Sequence, residues 1–389
     1  MATKRILLLL GIFTLLTSYL FAQETTGSYD WRDSSLIPSK RLGQHNEFLN
    51  NQYNFPAKPR SQWEVGLKVG TFNIIGDVPS QFPTPGFGVH VRKSLGYVFS
   101  LRAEYIYGMA RGVSWKARTA GLADHWINAG YTGGANYVFD NYKSTVQDLS
   151  IQGVFTMNNL RFHKGKTGFV VYALAGIGGT VYDTKVNVAT DANAPHNFSS
   201  ITNHNVYKDR RQTIKDVKNL LDGGSYNTEA ENEGNARSKL FGKTLRFSRT
   251  VGAGVAIKLS DKLNLALEDR VTMIGDDLLD GVRWQNVTTS AGPGSGTTGR
   301  VLTPSYDIYN YLSLGLNINI GSKTKSVQPL WWLNPLDYAY SELNSPKHMK
   351  IPKPVLDDSD GDGVPDQFDM EPNTPAGAAV DTHGVSRDT

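Results

Sequence analysis

Long segments in which apolar residues recur at every second position constrain the fold of this chain more than any other feature. In one such segment Trp63, Val65, Leu67 and Val69 alternate with polar residues and glycines. Successive side chains of a β-strand point to opposite faces. Each segment therefore predicts a strand with one apolar face and one polar or glycine-lined face.

Eight segments have this pattern, and the connections between them alternate in length. The segments are 62–75, 86–94, 97–110, 144–157, 167–182, 243–259, 262–274 and 305–320. The short connections are 95–96, 158–166 and 260–261, and the long ones are 76–85, 111–143, 183–242 and 275–304. Strands of about 9–16 residues are long enough for a tilted crossing of a bilayer, and short turns at one end with long loops at the other are typical of outer-membrane barrels. The alternative, a soluble β-sandwich, has shorter strands and turns of similar size at both ends. We therefore predict an all-β fold: an eight-stranded antiparallel transmembrane β-barrel of a Gram-negative outer membrane, with an extended periplasmic linker that carries a calcium-binding loop.

The N-terminus has the features of a signal peptide. Lys4 and Arg5 precede the apolar run 6–16, and small residues lead to Ala22. A basic n-region, an apolar h-region and a small-residue cleavage site are the signature of export. We predict a signal peptide at 1–22, an N-terminal periplasmic segment at 23–61, the barrel at 62–320, a Pro/Trp-rich linker at 321–356 and a calcium-binding repeat at 357–389.

Composition narrows the class of function. The net charge of +4 gives no indication of nucleic-acid binding, and the chain contains no cysteine for disulfides or lipid attachment. Aromatic residues make up 11% of the chain and there are 39 glycines, against 20% charged residues. That balance is typical of membrane barrels, which place aromatics at the interfaces. The histidines are scattered and no HExxH motif occurs, so we expect no enzymatic activity and no catalytic residues.

Charges of both signs lie on the predicted inward face of the strands. They are Lys68, His90, Arg92, Arg102, Glu104, Asp148, Arg246, Lys258, Glu268 and Arg270. An eight-stranded barrel is only wide enough for its own side chains, and an unpaired buried charge is costly. We therefore expect Arg102 or Arg270 to pair with Glu104 or Glu268 in a plugged lumen; the alternative is a narrow ion path.

Two segments outside the strands allow more than one interpretation. Residues 208–221 could form an amphipathic helical turn or two, but their charges favour a solvated loop. In the linker, Trp331 and Trp332 could cap the periplasmic rim, anchor at the lipid headgroups or bind a partner. Anchoring is favoured because tryptophan is enriched at membrane interfaces.

The sharpest local motif is an acidic twelve-residue run with Gly363 at its sixth position. Its candidate ligands at positions 1, 3, 5, 7, 9 and 12 are Asp358, Asp360, Asp362, the carbonyl of Val364, Asp366 and Asp369. This spacing of oxygen donors matches the cage that Ca²⁺ requires. The position-12 residue is Asp rather than Glu, and prolines replace the usual flanking helices. The motif predicts a Ca²⁺ site; the alternative is an acidic disordered linker.

The exported barrel, the acidic run and the Glu371–Gly377 tail that follows it together resemble the OmpA family. The resemblance is greatest to members with a thrombospondin type 3-like calcium repeat in the linker. The aromatic linker 329–335 and the cleavage region 21–23 resemble members from the Bacteroidota. The resemblance implies a peptidoglycan-binding domain after the linker, and we expect the printed chain to stop short of it.

Three functions remain open at this stage. The first is a structural tether between the outer membrane and peptidoglycan, with lipid and the cell wall as partners and Ca²⁺ as the bound ion. The second is an accessory subunit of a larger assembly of outer-membrane proteins. The third is a small diffusion pore.

Overall fold

The computed structural model describes residues 29–157, 168–230, 237–290, 296–302, 306–336, 338–339 and 356–387, with backbone only for 284–290 and 296–302. The predicted signal peptide 1–22 and the short connection 158–166 lie outside these residues. The first part of the predicted periplasmic segment, 23–28, also lies outside them. The chain divides into two compact units, Met1–Tyr338 and Ala339–Thr389.

The first unit is built from antiparallel strands. They are β1 (Trp63–Ile75), β2 (Pro85–Ser94), β3 (Phe99–Arg118), β4 (Val138–Thr156), β5 (Phe169–Val186), β6 (Thr228–Glu229), β7 (Lys239–Leu240), β8 (Lys243–Lys258), β9 (Leu263–Asp276), β10 (Trp284–Ser290), β11 (Gly296–Leu302) and β12 (Asp307–Ile320). The described helices of four or more residues are α1 (Leu42–Leu49), α2 (Asp124–Asn128) and α3 (Arg210–Leu221).

Eight of the strands close into a ring. The order is β1, β2, β3, β4, β5, β8, β9 and β12, and β12 pairs with β1 from Trp63 opposite Ile320 to Ile75 opposite Ile308. Closure satisfies the backbone hydrogen-bonding groups of every ring strand without leaving a free edge. The predicted eight-stranded antiparallel barrel is confirmed, because all eight alternating segments form the ring.

Burial alternates along the ring strands as the sequence predicts. Leu314 and Leu316 of β12 are exposed, whereas Ser313, Gly315 and Asn317 between them are buried. Apolar side chains therefore face outward and polar or small side chains fill the interior. The lumen is tightly filled: a Cβ at Gly254 would approach the Tyr172 hydroxyl to 2.5 Å.

Three strands are longer than predicted. β3, β4 and β5 extend to Arg118, Val138 and Val186, and the additional residues of β3 and β4 pair with each other as far as Arg118 opposite Val138. The extensions fall within the predicted long loops 111–143 and 183–242. Alternation weakens in the extensions of β3 and β4 because buried residues are consecutive there, at 112–114 and at 138–139, and the loop residues Trp126, Phe198 and Leu221 share the core of these extensions.

Helix α3 corrects the prediction of a solvated loop at 208–221. Thr213, Val217 and Leu221, spaced four residues apart, are buried on one face of the helix. Residues four apart lie on one side of a helix, and that side packs in the core of the folded loops. The long loops thus form a folded cap over one end of the barrel. Among the described residues, no helix has the length and apolar character needed to cross a bilayer.

Candidate functional site

A network of six charged side chains crosses the lumen. Lys68 Nζ lies 2.5 Å from Glu104 Oε1 and 2.7 Å from Glu268 Oε1, and Arg102 Nη1 lies 2.6 Å from Glu268 Oε2. These four side chains are almost fully buried. Because Glu104 and Glu268 each contact two or more cations, the predicted mutual neutralisation of inward charges is confirmed for this layer.

Arg270 extends the same network. Its Nη1 lies 2.9 Å from Glu104 Oε2 and its Nη2 lies 2.7 Å from Asp148 Oδ1. Thr180 and Ser248 each donate a hydroxyl hydrogen bond of 2.8 Å to Asp148 Oδ2. Three cations thus face three carboxylates, so the layer carries no net charge. The remaining oxygen of Asp148 is occupied by these hydroxyl donors, as a buried charged network requires.

A second charged layer lies nearer the end of the barrel that has the short turns. Glu64 Oε1 lies 3.6 Å from His90 Nε2 and 3.9 Å from Arg92 Nη1, and Glu64 Oε2 accepts a 2.9 Å hydrogen bond from Asn264. Arg246 and Lys258, two predicted lumen charges, instead pair near strand ends with Asp276 and Asp261 and are only partly buried. These two side chains lie beyond the filled part of the lumen, which explains why they do not join its charged layers.

The segment after β12 closes this end of the barrel. Trp331 and Trp332 are buried in one cluster with Val154, Val170, Tyr172, Leu174, Ala256 and Ala266. The Arg92 guanidinium lies 3.7 Å from the centroid of a Trp331 ring, a cation–π contact. The prediction that these tryptophans anchor at the membrane interface is wrong, because the rings fill the base of the lumen instead.

Backbone contacts hold that segment in place. Ser61 and Val327 form a parallel bridge, in which Gln62 N donates to Val327 O at 2.9 Å and Val327 N donates to Arg60 O at 2.8 Å, and Leu330 N donates to Ser94 Oγ at 3.3 Å. The prolines of the linker predict an extended chain, but residues 327–333 turn back into the barrel through the short 3₁₀ helix Leu330–Trp332. We call residues 327–333 the Trp plug.

The second unit contains the acidic motif. The ligand atoms of Asp358, Asp360 and Asp362 all lie within 4.8 Å of one another. Two oxygens bound to one Ca²⁺ are separated by at most about 5 Å, twice the usual Ca–O distance of ~2.3–2.6 Å. The three carboxylates are therefore close enough to share one ion.

Backbone turns orient these carboxylates. Asp358 Oδ1 and Oδ2 accept from the N–H groups of Gly361 at 2.8 Å and Gly363 at 3.0 Å, and Asp362 Oδ1 accepts from Val364 N at 2.8 Å. Gly361 and Gly363 have φ values of +74° and +92°, which an L-residue rarely adopts. The glycines allow the loop to turn so that its acidic side chains converge.

One carboxylate oxygen of the loop, Asp362 Oδ2, lies in a position that suits a bound cation. It is buried and has no hydrogen-bond partner among the described residues. A Cβ added at Gly384 would lie 3.1 Å from this oxygen and would clash with Asp369 Oδ1. The carboxylates of Asp362 and Asp369 thus converge beside Gly384, and a buried unpaired carboxylate oxygen is costly without a cation. The donor set therefore fits Ca²⁺.

Two of the other predicted ligands, Asp366 and the carbonyl of Val364, are not in the cluster. Asp366 is bound to Ser359, whose N–H and Oγ both lie 2.7 Å from its carboxylate oxygens, and these hydrogen bonds hold the pKa of Asp366 below its ordinary value. The structure gives no contact of the Val364 carbonyl with the three clustered aspartates. Ca²⁺ binding by the six predicted residues remains a prediction.

Sequence reasoning missed the residues that close over the acidic loop. Thr374 N donates to Asp360 Oδ2 at 2.7 Å, and Thr374 Oγ1 donates to Gly384 O at 2.9 Å. Glu371 Oε2 accepts from the N–H of Ser386 at 2.7 Å. The Pro-Asn-Thr-Pro tail was the available signal, because its buried threonine connects the loop to the 380–386 turn.

Comparisons with known proteins give similarity only at the level of solved structures. No protein-family model matches the chain, and no curated protein matches it. Neisserial surface protein A is 10% identical, with 68% of this chain and 100% of that chain covered and a TM-score of 0.31. Ail, the attachment invasion locus protein of Yersinia pestis, is 8% identical, with coverages of 67% and 99% and a TM-score of 0.30.

The N-terminal β-barrel domain of Pseudomonas aeruginosa OprF is also similar. It is 7% identical, with 67% of this chain and 99% of that domain covered and a TM-score of 0.26. At these scores the likeness carries no argument of its own, and the barrel assignment rests on the strand pairing described above. The barrel architecture that the OmpA resemblance implies is present, whereas membership of that family, the calcium repeat and the Bacteroidota origin remain predictions.

Proposed function

We propose that this protein is embedded in the outer membrane as a closed structural barrel. The observation that carries the proposal is a band of exposed apolar side chains around the ring. It includes Leu67, Val69, Val89, Leu101, Leu149, Ile151, Ile177, Val251, Val255, Leu267, Leu314 and Leu316. Contiguous apolar surfaces of this extent are unfavourable in water but are required in hydrocarbon.

The orientation follows from the two ends of the barrel. The short turns, the N-terminal segment and the Trp plug lie at one end, where exposed Trp63, Phe155 and Phe169 match an interfacial aromatic girdle. The folded loops lie at the other end. Short turns face the periplasm in barrels of this type, so we assign the loop cap to the cell exterior.

We further propose that the second unit binds Ca²⁺ and stiffens a periplasmic connection to peptidoglycan. Convergence of Asp358, Asp360 and Asp362, together with the unpartnered Asp362 oxygen, supports the ion. The cell-wall connection rests on the family resemblance alone. A diffusion pore is disfavoured, because the paired charges and the Trp plug fill the lumen at two levels.

Fractionation of cells that express the protein tests the membrane assignment. We expect the protein in the outer-membrane fraction after alkaline washing, released only by detergent and running on gels at a different position before and after boiling. Recovery in the aqueous periplasmic fraction would contradict the assignment. Sedimentation with purified peptidoglycan, with and without chelator, then tests the tether separately.

A further inference from the structure

Helix α3 holds one edge of the loop cap and presents cations to solvent. Its buried side, with Thr213 and Val217, is fixed in the loop core, and Thr213 Oγ1 donates to Asn203 O at 3.2 Å. Asn205 Oδ1 accepts from Ala117 N at 3.0 Å, which joins the segment before the helix to the upper part of β3. The opposite side of the segment is therefore held in a defined position.

Two aromatic rings and two cations form a row beside the N-terminal end of the helix. The Arg210 guanidinium lies 3.8 Å from the Tyr207 ring centroid, and its Nη1 donates to Tyr207 O at 2.8 Å. Trp115 meets Tyr207 edge to face with a centroid distance of 6.2 Å, and Lys116 Nζ lies 5.5 Å from the centroid of a Trp115 ring. We call this row, with Lys208 and Arg211, the cationic ledge.

The charges of the ledge lack acidic partners. In the described part of the chain, none of its four basic side chains forms an ion pair, whereas the lumen cations Lys68, Arg102 and Arg270 are all paired. The neighbouring carboxylates are Asp209 and Asp216, and Asp216 accepts from Gln212 at 2.7 Å. Lys215 adds a further exposed cation on the helix, so the surface has a net positive charge.

We propose that the cationic ledge binds an acidic polysaccharide at the cell surface. Arg210 retains guanidinium N–H groups for a carboxylate or sulfate, and Lys116, Lys208 and Arg211 contribute charge along the row. Tyr207 is 67% exposed, which leaves an aromatic surface for the C–H face of a sugar ring. A protein partner is a poorer fit, because lysine is depleted at protein interfaces and Lys116 and Lys208 are two of the four basic side chains of the ledge. The proposal rests on the orientation under Proposed function, which places the ledge outside the cell.

Binding to the purified full-length protein in detergent micelles tests the proposal. The probes are alginate, neutral dextran and a single-stranded DNA oligonucleotide, each titrated at low and moderate salt. We expect alginate to bind with an affinity that falls as salt rises, and dextran not to bind. Loss of both surface cations in Lys208→Gln/Arg211→Gln should weaken alginate binding about tenfold, and Tyr207→Ala should weaken it about threefold.

The matched control is Lys239→Gln/Lys243→Gln, which removes the same charge from the β7–β8 hairpin. We expect it to bind alginate like the unaltered protein. No alginate binding, equal weakening by the control pair, or tighter binding of DNA would overturn the proposal. Amine biotinylation of intact cells tests the orientation separately from the binding site. Labelling of Lys208 supports the exterior orientation. Protection of Lys208, when alginate still binds to the purified protein, overturns that orientation rather than the binding site.

Discussion

The barrel lumen and the acidic loop of the second unit both contain closely spaced charged side chains, but they differ in how these charges are neutralised. In the lumen, Lys68, Arg102 and Arg270 are placed against Glu104, Glu268 and Asp148 at 2.5–3.2 Å. In the acidic loop, the clustered aspartates have backbone N–H partners, and no described basic side chain pairs with them. The lumen supplies its own counter-charges, whereas we propose that the loop takes its cation from solution.

The largest expected effect is the loss of one lumen partner. Glu268→Gln leaves Lys68 and Arg102 with a single shared carboxylate, and breaking a buried pair costs about 3–5 kcal/mol. We expect the urea midpoint of the barrel in lipid vesicles to fall accordingly. Asp269→Asn, one position away on the exposed face, is the control and should not destabilise the barrel. Equal effects of the two changes would mean that the lumen pairs contribute little.

Removal of the Trp plug should have the next largest effect. Trp331→Ala opens a cavity beside Tyr172 and uncovers Arg92, at a cost of about 3–4 kcal/mol. Planar-bilayer recordings should also show more frequent openings than for the unaltered protein. The control is Trp63→Ala, which removes an exposed tryptophan from the same end. A variant with unchanged stability and conductance would contradict the role of the plug.

The outward face is tested by a charge placed in the apolar band. Leu316→Arg should destabilise the barrel in lipid by about 2–4 kcal/mol, because a charge at mid-bilayer depth is poorly solvated. Tyr306→Arg, beyond the end of β12 and exposed, is the comparison and should cost far less. If both variants unfold at the urea midpoint of the unaltered protein, the band does not face hydrocarbon.

A smaller, pH-dependent effect is expected in the loop cap. Burial raises the pKa of Asp280 to about 7, despite hydrogen bonds from Val282 N and Val78 N. An acid with a raised folded-state pKa stabilises the fold at low pH, and this stabilisation is lost as the pH rises through the folded value. The melting temperature should therefore fall between about pH 4 and pH 7. Asp280→Asn should flatten this dependence; an unchanged slope would show that another group is responsible.

The sequence predicted the strands and the lumen charges because both depend on a period of two. Arg102, Glu104 and Glu268 share the inward face by alternation alone, and the narrow ring brings them into contact with one another. Capping of the barrel end by Trp331 and Trp332 was one of three interpretations but not the favoured one, because the position of the Trp plug depends on the space left at the base of a closed barrel. The prolines near Trp331 indicate only that the chain is locally stiff. An extended linker and a segment folded back into the barrel are both compatible with a stiff chain, so the prolines do not distinguish them.

The helix and the acidic loop show two other limits. Thr213, Val217 and Leu221 have helical spacing in the sequence, but the charged residues around them favoured a solvated loop. The helix is explained only by the core of the folded loops, against which its buried side packs. In the acidic loop, the spacing identified Asp358, Asp360 and Asp362 as neighbours. It did not place Asp366 against Ser359, because a local hydroxyl competes for that carboxylate.

Limited proteolysis of the whole protein in detergent tests the contrast between lumen and loop most directly. With Ca²⁺, cleavage between residues 355 and 371 should be slow; with chelator, or in Asp360→Ala/Asp362→Ala, it should be fast because the carboxylates repel one another without the ion. The barrel fragment should resist the protease in all three conditions. Equal cleavage rates between residues 355 and 371 with calcium, with chelator and in the double variant would contradict the account.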